Sequence, residues 1–259
     1  MYDRHKRSQK QTITTQDGST TLYTAEFDEC YHSTHDGALH ESLVKHVIPA
    51  LTLQAGKTEL TILDICFGLG YNTLATLYYI RREHLSTNIT ILSPEFDAEL
   101  VHSLATFEYP PEFDDLRPVI EAVSRDGYYE DTQFTIHVLV NDAREVVSGL
   151  SQCFDIVYQD AFSPVKNPLL WTREWFSDVR AVCADDAVLT TYSTAASTRM
   201  ALHENGFKLY DYHPDGVRGS MIASPSQIDF GNVPLAWIDM ALKMERNPDA
   251  RSLRDGEFA

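Results

Sequence analysis

The sequence predicts an α/β fold with a mostly parallel twisted sheet, helices on both faces, a closing antiparallel hairpin and an N-terminal β-hairpin extension. Three observations predict it. The stretch Leu60 to Asn72, LTILDICFGLGYN, passes from a nearly continuous apolar run through Gly68 and Gly70 into a helical pattern, which is how a nucleotide-binding α/β unit opens. Downstream, short β-rich runs alternate with helical segments at the spacing of repeated strand–helix units. Acids stand at or just past four strand ends, at Asp64, Glu95, Asp142 and Asp160, on the rim where open α/β sheets bind ligands.

In chain order, Met1 to Lys10 carries Arg4, Lys6, Arg7 and Lys10 against Asp3. It reads as a solvated terminus, with a phosphate-touching arm as the sharper alternative. Gln11 to Tyr23 is threonine-rich and centred on Asp17-Gly18, a hairpin signal. Ala25 to His40 gathers acids and histidines. His32 and His35 form an H-x-x-H pair, but no second pair at metal-site spacing accompanies it, so a polar loop is preferred to a metal site. A substrate-contacting loop is the third reading. His40 to Leu51 reads as a helix with Leu43, Val44, Val47 and Leu51 on one face.

Leu60 to Ile65 is then a buried strand and Tyr71 to Arg82 a helix. Asn88 to Ser93 reads as a strand and Asp97 to Phe107 as a helix. Glu108 to Arg125 reads as an acidic, proline-interrupted insertion with a short helix. Phe134 to Val140 is a strand and Asp142 to Leu150 a helix capped by Asn141. Phe154 to Gln159 is a strand. Asn167 and Pro168 look like the cap and first residue of a helix carrying Leu169, Leu170, Trp175, Phe176 and Val179. Ala187 to Tyr192 is a strand, and Ala195 to Asn205 a helix stopped by Gly206. Phe207 to Tyr212 and Ser220 to Ala223 form the closing pair, and Trp237 to Met244 reads as an amphipathic helix. The expected division is an extension over 1–50, a core over 51–225 and a tail over 226–259.

The 259 residues, 43% of them hydrophobic, suffice for one large domain. A formal net charge of −17 argues against non-specific nucleic-acid binding through bulk charge, while leaving room for a local basic groove. Cys30, Cys66, Cys153 and Cys183 are scattered, which suits reduced thiols in a cytoplasmic protein. No leader-like apolar segment and no run of membrane-spanning length is present.

The third position of a dinucleotide fingerprint is Thr73, not glycine, which turns attention from a pyrophosphate to S-adenosylmethionine. Glu95 lies 25 positions after Gly70, near the spacing of about 20 for an acid that binds ribose hydroxyls. Asp142 ends the third strand, where an adenine amino group could donate to it. Asp160 ends the fourth, where a transferable methyl would point. A carboxylate there orients an amine nucleophile and stabilises its growing positive charge, and the Phe162 ring could add to that. Each acid could also be a helix cap, and Phe162 a core residue.

The segment DAFSPVKNPLLWTREWF resembles the D-G-F-A-P-x-K-N-P-x-x-W-x signature of the MnmC methyltransferase domain family. CFGLGYNTL resembles that family's G-F-G-T-G-L-N-F-L. DGSTTLY, ECYHSTHDGALHES and LTTYSTAASTRMALHENGF followed by Met221 agree in order, so the resemblance runs from about Asp17 to Ala223. It implies a class I, Rossmann-like fold and an S-adenosylmethionine-dependent enzyme of tRNA. That enzyme would convert 5-aminomethyluridine, or its 2-thio form, to 5-methylaminomethyluridine at the wobble position. The cofactor would lie near Phe67, Gly68, Gly70, Asn72, Glu95, Asp142 and Asp160, with Asp160 the catalytic carboxylate.

Lys166 and Asn167 would flank the substrate mouth. Tyr31, His32 and Glu41 belong to the matching N-terminal segment, and Arg199 and Arg218 join Arg4, Lys6, Arg7 and Lys166 as candidate phosphate contacts. The chain departs from the pattern at Cys66 and Ala161, where the family has glycine, and at Arg218 to Met221, where it has K-R-E-M. In many bacteria the domain is fused to a flavin-dependent oxidase. At 259 residues this chain is not expected to carry that partner and is expected to use aminomethyluridine supplied by another route. Two further readings stay open: the same chemistry on a small polyamine-like amine, and a catalytically inert nucleotide-binding module.

Overall fold

The structure, a computed structural model, describes residues 4–258. A short helix α1 (Arg4–Arg7) leads into strands β1 (Lys10–Thr14), β2 (Thr20–Thr24) and β3 (Glu29–Cys30), which form an antiparallel sheet of their own. The Asp17-Gly18 turn is held from within: the Asp17 carboxylate accepts from the Ser19 amide at 3.0 Å and Gly18 takes a φ of 84°.

The segment Ala38 to Leu53 is helical throughout but not uniform. Helices α2 (Ala38–Glu41) and α3 (Ile48–Leu53) flank a π-helical turn, Ser42–Val47. The wider turn changes which residues face inward. Leu43 and Val44, expected on the buried face, are half-buried, whereas Lys45 and His46 are buried at 3% and 0% exposure.

The main sheet begins with β4 (Glu59–Ile65), followed by α4 (Tyr71–Arg82), β5 (Asn88–Glu95), α5 (Ala98–Ser103) and α6 (Arg117–Asp126). The Glu108 to Arg125 segment is therefore not merely an insertion: α6 buries Val119, Ile120 and Val123 in the core. A short edge strand β6 (Tyr128–Glu130) precedes β7 (Phe134–Val140) and α7 (Ala143–Ser148), and then come β8 (Phe154–Gln159) and α8 (Arg173–Ala181). The cap of α7 is Asp142, which accepts from the Arg144 amide, and not Asn141. The Asn167-Pro168 signal starts only a 3-10 turn, and α8 is capped by the Thr172 hydroxyl. The chain continues through β9 (Cys183–Thr191), α9 (Ala196–Glu204), β10 (Lys208–Tyr212) and β11 (Ser220–Ser224). β12 (Leu235–Trp237) takes residues expected to be loop or helix and adds a strand beside β10, before α10 (Met240–Arg246).

The sheet order is β12-β10-β11-β9-β8-β4-β5-β7-β6. The run from β7 through β5, β4 and β8 to β9 is parallel; β6 and the β10–β12 end are antiparallel. Successive strand residues serve opposite faces. Ile62, Ile156, Val188 and Ile222 join one core, while their neighbours Leu63, Val157, Leu189 and Met221 join the other. Burial on both faces explains why these strands read as continuous apolar runs. The chain leaves β4 toward β5 on one side and returns to β8 on the other, so the direction reverses at β4, where such sheets open a crevice. Among the described residues no helix is long and apolar enough to cross a membrane.

Candidate active site

A cavity of about 370 Å³ opens outside the carboxyl ends of β4, β5 and β8. Its floor is the turn after β4. Gly68 and Gly70 take left-handed φ values of 54° and 74°, and Gly70 begins α4. Space as well as angle calls for glycine. A Cβ on Gly68 would lie 3.1 Å from the Tyr31 ring, and one on Gly70 would lie 2.7 Å from the Phe67 ring. Gly70 thus makes room for Phe67 and does not itself line the cavity.

Cys66, where the resembled family has glycine, also sits at a positive φ, 67°. Such a conformation strains an L-residue by about 1 kcal/mol or more. Cys66→Gly is expected to raise the thermal midpoint by about 2 °C, read by calorimetry. A lower midpoint would mean that sulfur packing outweighs backbone relief.

Glu95 closes one side. Its Oε2 accepts from the Gly68 amide at 2.8 Å and its Oε1 from the Asp97 amide at 2.9 Å, tying the glycine turn to the end of β5. Burial pushes its carboxyl up to about 7, against the pull of those two amides. Asp64 lies beneath the turn, bonded to the Thr73 hydroxyl at 2.7 Å, and burial likewise pushes it up to about 7; it does not line the cavity.

Asp160, just past β8, faces the same turn. Asn72 at the start of α4 donates to its Oδ2 at 2.8 Å, and His46 Nε2 lies 3.5 Å from its Oδ1. Burial works to raise this carboxyl, but the charge interaction with His46, followed by His32 and the Asn72 amide, outweighs it and holds Asp160 below the usual range. The loop carrying Asp160 is pinned on three sides. Trp171 Nε1 donates to the Phe162 carbonyl at 2.7 Å and the Tyr192 hydroxyl to the Ala161 carbonyl at 2.9 Å. The Ser163 amide and hydroxyl both donate to Glu29 at 3.0 Å. Phe162 stacks on Phe27 with centroids 4.4 Å apart and meets the Tyr31 edge at 4.9 Å. The tryptophan-rich segment therefore serves the loop structurally.

The N-terminal extension supplies the far wall. Tyr31, His32 and Glu41 line the cavity. Glu41 accepts from the Ser33 amide at 2.8 Å and from Lys45 at 2.8 Å, and Lys45 also reaches Asp36 at 2.7 Å. Burial opposes the Lys45 ammonium, but the two carboxylates prevail and keep it charged. This buried triad carries a net negative charge. His32 packs its ring edgewise on Tyr71, and burial lowers its pKa, so it is neutral at pH 7. His35 also lines the cavity, with its Nδ1 3.2 Å from Asp36 Oδ1.

The sequence candidates separate accordingly. Phe67, Gly68, Asn72, Glu95, Asp160, Tyr31, Glu41, Asn167 and Arg218 meet at one cavity. Asp142 stands on the adjoining rim as the α7 cap, and its charge reaches the Cys66 thiol. Lys166 pairs with Asp28 at 2.8 Å and Arg199 with Asp211 at 2.9 Å, and neither lines the cavity. Of the basic N-terminal segment, residues 1–3 and the Arg4 side chain lie outside the described residues. Arg7 and Lys10 are docked: Arg7 pairs with Glu26 and lies 4.3 Å over the Phe96 ring, and Lys10 reaches Asp97 at 2.6 Å. Lys45 and His46 were missed, because the π turn that buries them has no signature in the spacing of apolar residues.

The donor set suits a cationic nucleoside. Glu95 spends one backbone contact per oxygen, which leaves further lone pairs for ribose hydroxyls. Asn72 Oδ1 is buried without a partner among the described residues and can accept from an ammonium group. Comparison with known proteins agrees. Residues 118–226 match a family model described as S-adenosyl-L-methionine-dependent methyltransferase. An uncharacterized protein of Methanocaldococcus jannaschii is 29% identical over 213 residues, covering 82% of this chain and 58% of that protein. The tRNA 5-methylaminomethyl-2-thiouridine biosynthesis bifunctional protein MnmC of Ralstonia nicotianae is 30% identical over 202 residues, covering 73% of this chain and 30% of that protein. The chain thus spans less than two thirds of the length of these relatives. The crystal structure of MnmC2 from Aquifex aeolicus superposes with a TM-score of 0.82 at 28% identity, over 99% of this chain and 82% of that one. Family model, relatives and solved structure converge with the site's chemistry: the chain is an S-adenosyl-L-methionine-dependent methyltransferase, similar in sequence and fold to the methyltransferase part of MnmC.

Proposed function

We propose that this enzyme methylates the primary amine of 5-aminomethyluridine, or its 2-thio form, at the tRNA wobble position, giving the 5-methylaminomethyl product. The observation that carries this reading is a buried carboxylate, Asp160, held below the usual range in the lining of the cavity that also includes Gly68 of the glycine turn and the Phe162 and Tyr31 rings. The name of the MnmC relatives, tRNA 5-methylaminomethyl-2-thiouridine biosynthesis bifunctional protein, supplies the substrate.

S-adenosylmethionine, when bound, supplies an electrophilic methyl group on a sulfonium. The protein's own part is placement and charge. Glu95 and Asn72 offer acceptors for hydroxyl and ammonium donors at the turn. Asp160 accepts a hydrogen bond from the incoming amine, directs its lone pair, and takes up the proton the amine must lose. Phe162 and Tyr31 present ring surface that favours a cation and excludes water. The Asp36–Lys45–Glu41 triad keeps the far wall anionic, which suits an amine and repels a carboxylate. Mass spectrometry of tRNA nucleosides from cells with and without the gene tests the reading. Loss of the methylaminomethyl nucleoside with accumulation of its aminomethyl precursor is expected, and an unchanged nucleoside profile would refute it.

Net charge and ion pairing favour a second reading, a small free amine as substrate: the chain carries −17, and Lys10, Lys166 and Arg199 are engaged by carboxylates. Arg218 separates the two. It is exposed at the cavity mouth on the β10–β11 connection. On tRNA, Arg218→Ala is expected to raise KM with kcat unchanged and to reduce the log–log salt slope of binding by about 1. A KM that ignores both salt and Arg218 would favour the free amine.

A further inference from the structure

His46 is buried at 0% exposure on the π turn, and the chemistry above leaves it unassigned. Its Nδ1 shares a hydrogen bond of 2.8 Å with the Thr190 hydroxyl on β9, which fixes the ring. Its Nε2 is buried with no hydrogen-bond partner among the described residues, yet it points at Asp160 from 3.5 Å. That separation is a charge contact, longer than a hydrogen bond. Asp160 in turn has Asn72 on its other oxygen and the cavity in front. Two strands and a helix converge here: β9 orients the imidazole, the π turn delivers it, and the end of β8 brings the carboxylate.

We propose that His46 is a positioning residue that carries the proton of the His46–Asp160 pair, so that Asp160 meets the substrate amine as an anion. The proposal rests on the amine-methylation reading above. A buried carboxyl left to itself would keep its proton, and a protonated Asp160 could neither accept from an amine nor take its proton. The surroundings favour placing the charge on the imidazole. Asp160 and Asp64 are the acids facing it; the Tyr158 ring lies 5.9 Å away and is neutral. Of the basic groups nearby, His32 is held neutral by burial, and the charge of Lys45 is met by Asp36 and Glu41. Thr190 and Asn72 carry no charge.

The test reads Asp160 directly in the protein alone, by carbon NMR of side-chain-labelled aspartate, with Asp160→Asn assigning the signal. In the native protein the Asp160 titration is expected below the ordinary carboxylate range. In His46→Phe it should move up by at least about 1 pH unit, and the acidic limb of kcat on the amine should move up with it. His46→Gln keeps a donor and similar bulk but cannot carry the proton, so it should show the same direction of shift. Calorimetry of S-adenosylmethionine binding, expected within a few-fold of native, confirms that each variant is folded. An Asp160 titration that stays put in a folded His46→Gln or His46→Phe protein overturns the proposal. If the native enzyme methylated no amine, the proposed function would fail while the NMR titration still decided the role of His46.

Discussion

Asp160→Asn is expected to lower kcat by about 10²- to 10⁴-fold while the dissociation constant for S-adenosylmethionine changes only a few-fold. The substitution keeps shape. An asparagine carbonyl can still accept from Asn72, as Asp160 does at 2.8 Å, and the loop stays pinned by Trp171, Tyr192 and Glu29. What disappears is the negative charge facing the amine and the capacity to hold its proton. An amide neither offsets a developing ammonium nor accepts a proton at neutral pH, so the loss falls on the chemical step more than on binding. Steady-state kinetics and calorimetry on the same preparation separate the two. Native-like turnover would remove Asp160 from the chemistry, and a matching collapse in cofactor affinity would reassign it to binding.

Glu95→Gln is expected to weaken S-adenosylmethionine binding by about 10- to 100-fold, in keeping with about 1.5–3 kcal/mol for a hydrogen bond to a charged group. One of the two backbone amides that Glu95 now satisfies would also face an NH₂ group. Glu95→Ala would leave both amides without that acceptor and should lower the thermal midpoint as well. The pH dependence has a definite sign. With its carboxyl raised to about 7, Glu95 is half-protonated at neutral pH in the cofactor-free protein and must shed that proton to accept from two hydroxyls. Affinity should therefore fall as pH drops below about 7, by up to about tenfold per unit.

Stability runs the other way. Between the ordinary carboxylate range and about 7 the folded state binds more protons at Glu95 and Asp64 than the unfolded chain does. Their contribution is thus complete at low pH and is lost as pH rises through about 7. Calorimetric titrations at several pH values, with thermal melts alongside, check both slopes. An affinity independent of pH between 6 and 8, or unchanged in Glu95→Gln, would take Glu95 out of the ribose contact.

The central strands were legible because both sheet faces are buried. Phe134 to Val140 and Phe154 to Gln159 stand out as apolar runs, and the observed β7 and β8 span those same residues. β6 and β12 were not, since each is three residues long and owes its conformation to pairing with β7 or β10. Position at a strand end made Glu95 and Asp160 visible, whereas the basic candidates rested on their charge and, for Lys166 and Arg218, on the family resemblance. Charge says nothing about pairing, and in the folded chain Lys166 and Arg199 meet Asp28 and Asp211. Lys45 and His46 were hidden by assuming 3.6 residues per turn, which puts Leu43 and Val44 inside. The one available hint was the Glu41-Lys45 pair at i, i+4, a common surface pattern that here lies buried.

The widened turn at Ser42–Val47 also makes part of the active site a matter of residue count. A π turn holds one residue more than an α turn. Loss of a single codon there would let the helix close to regular pitch and swing the imidazole and ammonium groups by roughly 100° per residue toward solvent. The hydrophobic cores could survive such a deletion while the cavity lost its buried imidazole and ammonium groups. In this segment, natural variation in length would therefore alter catalysis more than many exchanges of one side chain for another.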